Sequence, residues 1–270
     1  MVADTLSLAG KTAIVTGSAR ENGIGAAIAT VFARNGASVA IHYNSDNSKP
    51  RAEKVAAELS KEFGVKTIVL QGDVAKQDAA FGLVERALKG LGTGHIDILV
   101  NNAGYGAGTP LTDLTPEEIQ VEFGVNTCGS IYMTQAVVKV GKMPPGGRII
   151  NVGTIASKLG LAQAGLYAAT KAAQDSLTAS WAGELGKSHG ITVNTIAPGP
   201  VATDLAASIL VNKDGTPTNT QQTMLGQTRA AARLGTTQDI ADAALLLASE
   251  KSRWITAQFI SVSGGITGTM

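Results

Sequence analysis

The sequence predicts an α/β fold: a doubly wound parallel sheet of about seven strands with helices on both faces, in one domain over residues 1–270. Three observations predict it. Short apolar runs alternate with helical patterns along the whole chain. The runs are continuously apolar, as strands buried on both faces are. Apolar residues make up 44% of the 270 residues and charged ones 16%, which is enough core for one large domain.

Thr12–Thr16 is the first predicted strand, and a helix over Ile24–Asn35 follows and stops at Gly36. Ser38–Tyr43 is the second strand, followed by a helix over Pro50–Phe63 with Gly64 just past its end. Lys66–Leu70 is the third. In the helix predicted over 77–91, Ala80, Leu83, Val84, Ala87, Leu88 and Leu91 recur at the spacing of one buried face. Ile96–Val100 is the fourth strand. Thr115-Pro116-Glu117-Glu118 is a helix start, with Thr at the cap, Pro in the first turn and acids beside it, and the pattern continues to about Val140. Arg148–Val152, Ile191–Ala197 and Gln258–Val262 complete the strands, with a long helix over about 166–187 and another marked by Ile240, Ala243, Ala244, Leu247 and Ala248. The stretch at about 200–233 breaks the alternation. It is polar, with Thr216–Thr223 reading TPTNTQQT, and a connection of that length predicts a substrate lid.

Composition removes several function classes. Lys and Arg total 22 against 21 Asp and Glu, a formal net charge of +1, so no electrostatic case exists for nucleic acid or an anionic membrane as partner. No run of about 18 apolar residues occurs, and the N-terminus lacks a basic region followed by an apolar one, so neither a membrane span nor a signal peptide is expected. The single cysteine, Cys128, forms no intrachain disulfide and fits a reducing compartment, so a cytoplasmic location is expected. His42, His95 and His189 are scattered without ligand spacing, and no metal site is expected.

After the first strand comes Thr16-Gly17-Ser18-Ala19-Arg20-Glu21-Asn22-Gly23-Ile24-Gly25, then a helix. Glycines there let backbone approach a pyrophosphate, and the helix N-terminus supplies free N–H groups and a positive dipole end. Strand before and helix after is the context that such a turn needs. Gly10-Lys11-Thr12 superficially resembles the end of a phosphate-binding P-loop, but position 5 is Thr5 rather than glycine and Lys11 precedes a strand.

At this turn the chain resembles the short-chain dehydrogenase/reductase family, whose members carry T-G-x-x-x-G-x-G on a Rossmann-type sheet. Two extra residues here lengthen the step from Gly17 to Gly23. The likeness runs along nearly the whole chain. Asp73-Val74 resembles the family's adenine-contacting pair, and Asn101-Asn102-Ala103-Gly104 its N-N-A-G motif at the cofactor. Asn126, with Gly129 three residues on, is similar to its catalytic-helix Asn, which holds a water that completes a proton relay. Tyr167-Ala168-Ala169-Thr170-Lys171 matches Y-x-x-x-K. Pro198-Gly199, with Val201 and Thr203, resembles the segment that holds the nicotinamide amide.

Tyr167 and Lys171 stand four apart on one helix face. A free phenol titrates near 10, too high for neutral-pH acid or base work, and a nearby ammonium favours the phenolate. The pair is thus a tuned phenol that protonates a carbonyl oxygen or deprotonates an alcohol. The resemblance implies a second hydroxyl, usually Ser, thirteen residues before the Tyr. That position is Thr154, which has the same donor capacity and an extra methyl, and Ser157 is the alternative.

The end of the second strand carries Tyr43, Asn44 and Ser45 in place of an acid that would bind the ribose 2′-OH of NAD. With Arg20 in the glycine turn able to pair with a phosphate, they favour NADP(H). The expected cofactor residues are Gly17, Arg20, Gly23, Ile24, Gly25, Tyr43, Asn44, Ser45, Asp73, Val74, Asn102, Ala103, Gly104, Tyr167, Lys171, Pro198, Gly199, Val201 and Thr203, and the catalytic ones Asn126, Thr154, Tyr167 and Lys171. His42-Tyr43-Asn44-Ser45 is similar to the same segment of fungal hydroxynaphthalene-type reductases. The expectation is an NADPH-dependent reductase of a small aromatic or polyketide-like ketone, with Tyr105, Leu159, Leu161 and the 200–233 stretch walling the pocket. An NAD-dependent alcohol or sugar-alcohol dehydrogenase and a non-catalytic NADP sensor are the alternatives. The resemblance further implies a homotetramer or homodimer paired through the helices of Asn126 and Tyr167.

Overall fold

The computed structural model describes residues 6–162, 164–204, 206, 210–212 and 214–268. Their seven strands form one parallel sheet: β1 (Thr12–Val15), β2 (Ser38–Tyr43), β3 (Thr67–Gln71), β4 (Ile98–Asn101), β5 (Arg148–Val152), β6 (Thr192–Pro198) and β7 (Phe259–Val262). The spatial order is β3-β2-β1-β4-β5-β6-β7. The chain winds outward one way from β1 and the other way from β4, so a crevice opens at the carboxyl ends of these two strands, where such sheets bind ligands.

Alternation along each strand divides the core. On one face Ala13, Val15, Val39, Ile41 and Val100 pack on α1 (Ile24–Arg34), α2 (Lys49–Phe63) and α9 (Thr237–Ala248), through Ile28, Phe32, Leu59 and Ile240. On the other face Ile14, Ala40, Leu99, Ile149 and Val193 pack on α3 (Gln77–Leu91), α5 (Gly129–Lys139) and α7 (Gly165–His189), through Leu83, Val84, Met133, Val137 and Trp181. Burial of each large apolar side chain contributes on the order of 1.5–3 kcal/mol, so both helix layers hold the sheet between them. The long α7 stops at Gly190, whose φ of +68° ends the helix in the left-handed region that favours glycine.

Most predicted strands begin or end one or two residues from their observed limits. The larger differences concern helices. The helix read from 115 to 140 is interrupted: α4 (Pro116–Phe123) passes into a π-helical turn at Gly124–Cys128 before α5. A short α6 (Ala156–Leu159) follows β5, and the polar 200–233 stretch carries α8 (Asn219–Gln227). No residue of α8 is buried, so it left no apolar stripe to read; its one sequence signal is Thr218, whose hydroxyl caps it by accepting from the Gln221 N–H at 3.1 Å. Part of the predicted lid, namely 205, 207–209 and 213, lies outside the described residues.

Candidate active site

The glycine turn is pinned between β2 and the segment after β4. Gly17 adopts φ +64°, and a Cβ there would stand 2.9 Å from the Ala103 Cα. At Gly25 a Cβ would reach 2.4 Å from Asn102 Nδ2 and 2.6 Å from the Gly17 carbonyl. Thr16 Oγ1 accepts from the Asn102 and Ala103 N–H groups at 2.9 and 3.0 Å, and Asn102 Nδ2 donates to the Thr16 and Gly17 carbonyls at 2.8 and 3.0 Å. Gly23 caps α1 without a side-chain bond, so the first-turn N–H groups of Ile24 and its neighbours face the crevice mouth with the positive end of the helix dipole. This cradle, which only glycine fits, suits a pyrophosphate.

Sequence reasoning missed His42. Its Nδ1 accepts from the Gly17 N–H at 3.0 Å and its Nε2 lies 2.8 Å from the Gly72 carbonyl, so the ring braces the turn from below. Burial pushes its pKa down to about 4. The imidazole is therefore neutral, with Nε2 as the donor to Gly72. In the unfolded chain it protonates near 6.5. Between those values the unfolded state binds the extra proton, so this contribution to stability is complete above pH 6.5. It is lost as pH falls toward 4, amounting to up to about 3 kcal/mol. Denaturant unfolding at pH 7 and pH 5 checks this: His42→Asn is expected to reduce the difference between the two.

Within the turn, Arg20 is exposed and pairs with no acid among the described residues, while Glu21 is held by Lys54 at 2.9 Å and Arg51 at 3.3 Å. Asn44 and Ser45 are exposed after β2. Tyr43 points the other way: it is buried against the core, and its hydroxyl donates to Gln71 Oε1 at 3.4 Å. Asp73 accepts from the Ala75 N–H at 3.0 Å, and Val74 is buried against Gly129. On the far side of the crevice, Pro198 O accepts from the Ile155 N–H at 3.1 Å, and a Cβ at Gly199 would meet Ser263 at 2.8 Å. Val201 is buried in a bridge with Gly235, and Thr203 Oγ1 accepts from the Ala206 N–H at 3.3 Å.

The segment Gly104–Gly106 gathers the other polar groups. A Cβ at Gly104 would stand 3.5 Å from Asn126 Oδ1 and 3.6 Å from Lys171 Nζ, and one at Gly106 would touch the Tyr167 ring at 3.0 Å. Asn126 lies in the π-helical turn, a deviation common at functional sites. Its Oδ1 accepts from the Tyr105 N–H at 2.8 Å, and its Nδ2 donates to the Tyr105 carbonyl at 2.7 Å and to Thr170 Oγ1 at 2.9 Å. Lys171 is buried and donates to the Val152 carbonyl at 2.8 Å and to Gln174 Oε1 at 3.4 Å. Gln174 Nε2 in turn donates to Ser130 Oγ at 2.6 Å, and Ser130 donates to the Asn126 carbonyl at 3.0 Å. Gln174 and Ser130 thus join Lys171 to Asn126, a link that spacing along the chain does not reveal.

Thr154 follows β5 by two residues, and its Oγ1 accepts from the Ala156 N–H at 3.2 Å, which leaves its own O–H to donate. Ser157 Oγ instead lies 2.9 Å from the Thr154 carbonyl and 2.8 Å from Asp175 Oδ2. The alternative hydroxyl is therefore engaged inside the fold.

The expected lowering of the Tyr167 pKa is not what the chain alone produces. Burial pushes the phenol up to about 12, with the charge of Glu122 acting in the same direction. Burial also pushes Lys171 down to about 8 against the opposing charge of Asp175. In both groups desolvation is the larger cause. A protonated phenol is the form that donates to a carbonyl oxygen. Glu122 is itself buried; its Oε1 accepts from the Ala107 N–H at 2.8 Å, and its Oε2 has no partner. Removing its charge with Glu122→Gln is expected to lower the phenol pKa and move the pH profile of alcohol oxidation, which needs phenolate, to lower pH. A profile unchanged from wild type contradicts this.

Residues 17–267 match the family model described as enoyl-(acyl carrier protein) reductase. The chain is 39% identical over 260 residues to the short-chain dehydrogenase/reductase FrzI of Cladobotryum sp, covering 96% of this chain and 97% of that protein. The chain belongs to the short-chain dehydrogenase/reductase family. It is also 36% identical to the tetrahydroxynaphthalene reductase PfmaG of Pestalotiopsis fici, over 95% of this chain and 91% of the relative. Among solved structures, a short-chain dehydrogenase from Burkholderia cenocepacia in complex with NADP superposes with a TM-score of 0.85 at 34% identity, covering 97% of this chain and 99% of that one. A metagenomic blue fluorescent protein in complex with NADPH gives 0.86 at 34%, covering 97% and 100%. Within this family the chain is an oxidoreductase. Among the described residues no helix is long and apolar enough to cross a membrane, and no group of three His, Cys, Asp or Glu could hold a metal ion.

Proposed function

We propose that the chain is an NADPH-dependent carbonyl reductase acting on a small aromatic or polyketide-like ketone. The observation that carries this is the meeting of Tyr167, Lys171 and Asn126 around Gly104–Gly106. The glycine cradle and the α1 N-terminus would hold the pyrophosphate, Asp73 and Val74 the adenine, and Pro198 to Thr203 the nicotinamide amide. Arg20, Asn44 and Ser45 are exposed, β2 ends on Tyr43 rather than an acid, and the nearby Asp46 accepts from Gln71 Nε2 at 2.6 Å, which supports NADP(H). When bound, the reduced nicotinamide supplies a hydride to the carbonyl carbon. Tyr167 donates its proton to the carbonyl oxygen, and Thr154 Oγ1 donates a hydrogen bond that orients and polarises the same oxygen. Lys171 binds the nicotinamide ribose, and its ammonium stabilises the phenolate left behind. Asn126 holds the Tyr105 backbone against α7, and its family role is to hold a water that connects Lys171 to solvent, the source from which Tyr167 is reprotonated.

The likeness to a tetrahydroxynaphthalene reductase and the partly exposed Tyr105, Leu159 and Leu161 support an aromatic substrate. Exposed Ile119 and Val121 on α4, and Leu246, Trp254 and Ile255 beside β7, offer apolar surface of the kind that subunits of a homo-oligomer bury. The test is a fluorescence titration with NADPH and NADH. It is followed by turnover of hydroxynaphthalene-type ketones, aliphatic ketones, sugar alcohols and an enoyl thioester. Tighter NADPH and turnover of the aromatic ketones support the reading. A preference for NADH with sugar alcohols, or turnover of the enoyl thioester alone, replaces it.

A further inference from the structure

Asp175 stands one helical turn beyond Lys171 on α7, with only 7% of its side chain exposed. Its Oδ2 accepts from Ser157 Oγ at 2.8 Å and pairs with Lys158 Nζ at 3.3 Å. Its Oδ1 is buried without a partner, and a Cβ at Gly153 would meet that oxygen at 3.2 Å, so glycine there gives the carboxyl its room. Lys158, in turn, lies over the Phe259 ring, 5.0 Å from its centroid. Ser157 Oγ also lies 2.9 Å from the Thr154 carbonyl. The contacts run without a gap from α7 through Ser157 to the backbone of Thr154.

A carboxyl buried with one oxygen unpaired is a poor device for stability, because its desolvation is only partly offset. Burial raises its pKa, while Ser157, Lys158 and Lys171 oppose that rise. One Ser157 proton faces two acceptors, the Thr154 carbonyl and Asp175, so any proton held by Asp175 completes the chain of donors.

We propose that Asp175 is a positioning residue that sets Thr154: through Ser157 it fixes the 153–157 turn, and so the direction of the Thr154 hydroxyl toward the substrate oxygen. This rests on the reading of Thr154 as the polarising hydroxyl. Displacement of an orienting group by about an ångström costs on the order of a hundredfold in rate.

The test compares Asp175→Leu, Asp175→Asn, Ser157→Ala and Thr154→Ala, singly and combined, in the full chain with NADPH and the best ketone of the panel. Asp175→Leu is expected to lower kcat about ten- to a hundredfold, with the KM for NADPH unchanged and the melting temperature unchanged or higher. Asp175→Asn keeps an acceptor for Ser157 and restores most of the rate. Ser157→Ala reproduces the loss and does not add to Asp175→Leu. In a Thr154→Ala background Asp175→Leu has no further effect. An unchanged kcat, a full loss in the Thr154→Ala background, or a kcat and melting temperature that fall together would overturn the proposal. Should Asp175→Leu fail to fold, Ser157→Ala alone decides, because an unchanged kcat there breaks the chain. Failure of the underlying reading looks different: Thr154→Ala then turns over like wild type, or wild type reduces no ketone, and the role of Asp175 falls with it.

Discussion

Tyr167→Phe is expected to lower kcat for ketone reduction by about a thousandfold, in the range typical of a lost general acid. The ring stays packed against Gly106 and only the proton donor is removed. NADPH affinity and melting temperature should therefore remain near wild type, and fluorescence titration and thermal melting check both. The residual rate reports what Thr154 and orientation supply without an acid. The counterpart Lys171→Met is informative because Lys171 has two tasks. It would weaken NADPH binding as well as turnover, so a KM effect should accompany the kcat loss in that variant but not in Tyr167→Phe.

Gly25→Ala is the second large expected effect, and it strikes the cradle. The added Cβ would lie 2.4 Å from Asn102 Nδ2 and 2.6 Å from the Gly17 carbonyl, and the second neighbour is backbone that cannot rotate away. Overpacking of this kind costs about 1–3 kcal/mol. Relief would push the glycine turn away from Asn102 and spoil the surface offered to the pyrophosphate. The expected result is a lower melting temperature together with NADPH binding weakened by at least about tenfold, about 1.4 kcal/mol. Gly94→Ala is the control: nothing lies within 4 Å of a Cβ there, and it should leave both unchanged. Equal behaviour of the two variants would show that the turn does not need the close approach.

The parts legible in the sequence are those set by local pattern. β2 and β5 stand where their apolar runs stand, and α3 covers the residues that its apolar face predicts, because burial on both sides of a sheet leaves a direct compositional mark. The glycine spacing likewise announces the cradle, since only glycine permits a turn pressed onto Asn102 and Ala103. What stayed hidden depends on contacts between distant segments. The π-helical turn at Asn126 carries no proline or other breaker, so 115–140 reads as one helix, and the group Asn126 bonds to, Tyr105, lies twenty-one residues away along the chain. Tyr43 ends a strand at the carboxyl edge of the sheet, but the pleat turns its ring into the core. Gln174, Ser130 and Asp175 carry no motif, and His42 entered only within a segment likeness; their contacts arise because the fold sets His42 against Gly17, Gln174 between Lys171 and Ser130, and Asp175 against Ser157. The direction of the Tyr167 shift was also out of reach, because four-residue spacing shows Lys171 but neither the burial of the phenol nor the Glu122 charge, which both raise its pKa.

The most direct test of the central claim is the initial rate of NADPH oxidation by the wild-type chain with a hydroxynaphthalene-type ketone, measured beside the same reaction with NADH and with Tyr167→Phe. The account predicts turnover with NADPH, much slower turnover with NADH, and almost none in the variant. Turnover undiminished by Tyr167→Phe, or tight NADPH binding with no wild-type turnover across the ketones, would contradict it.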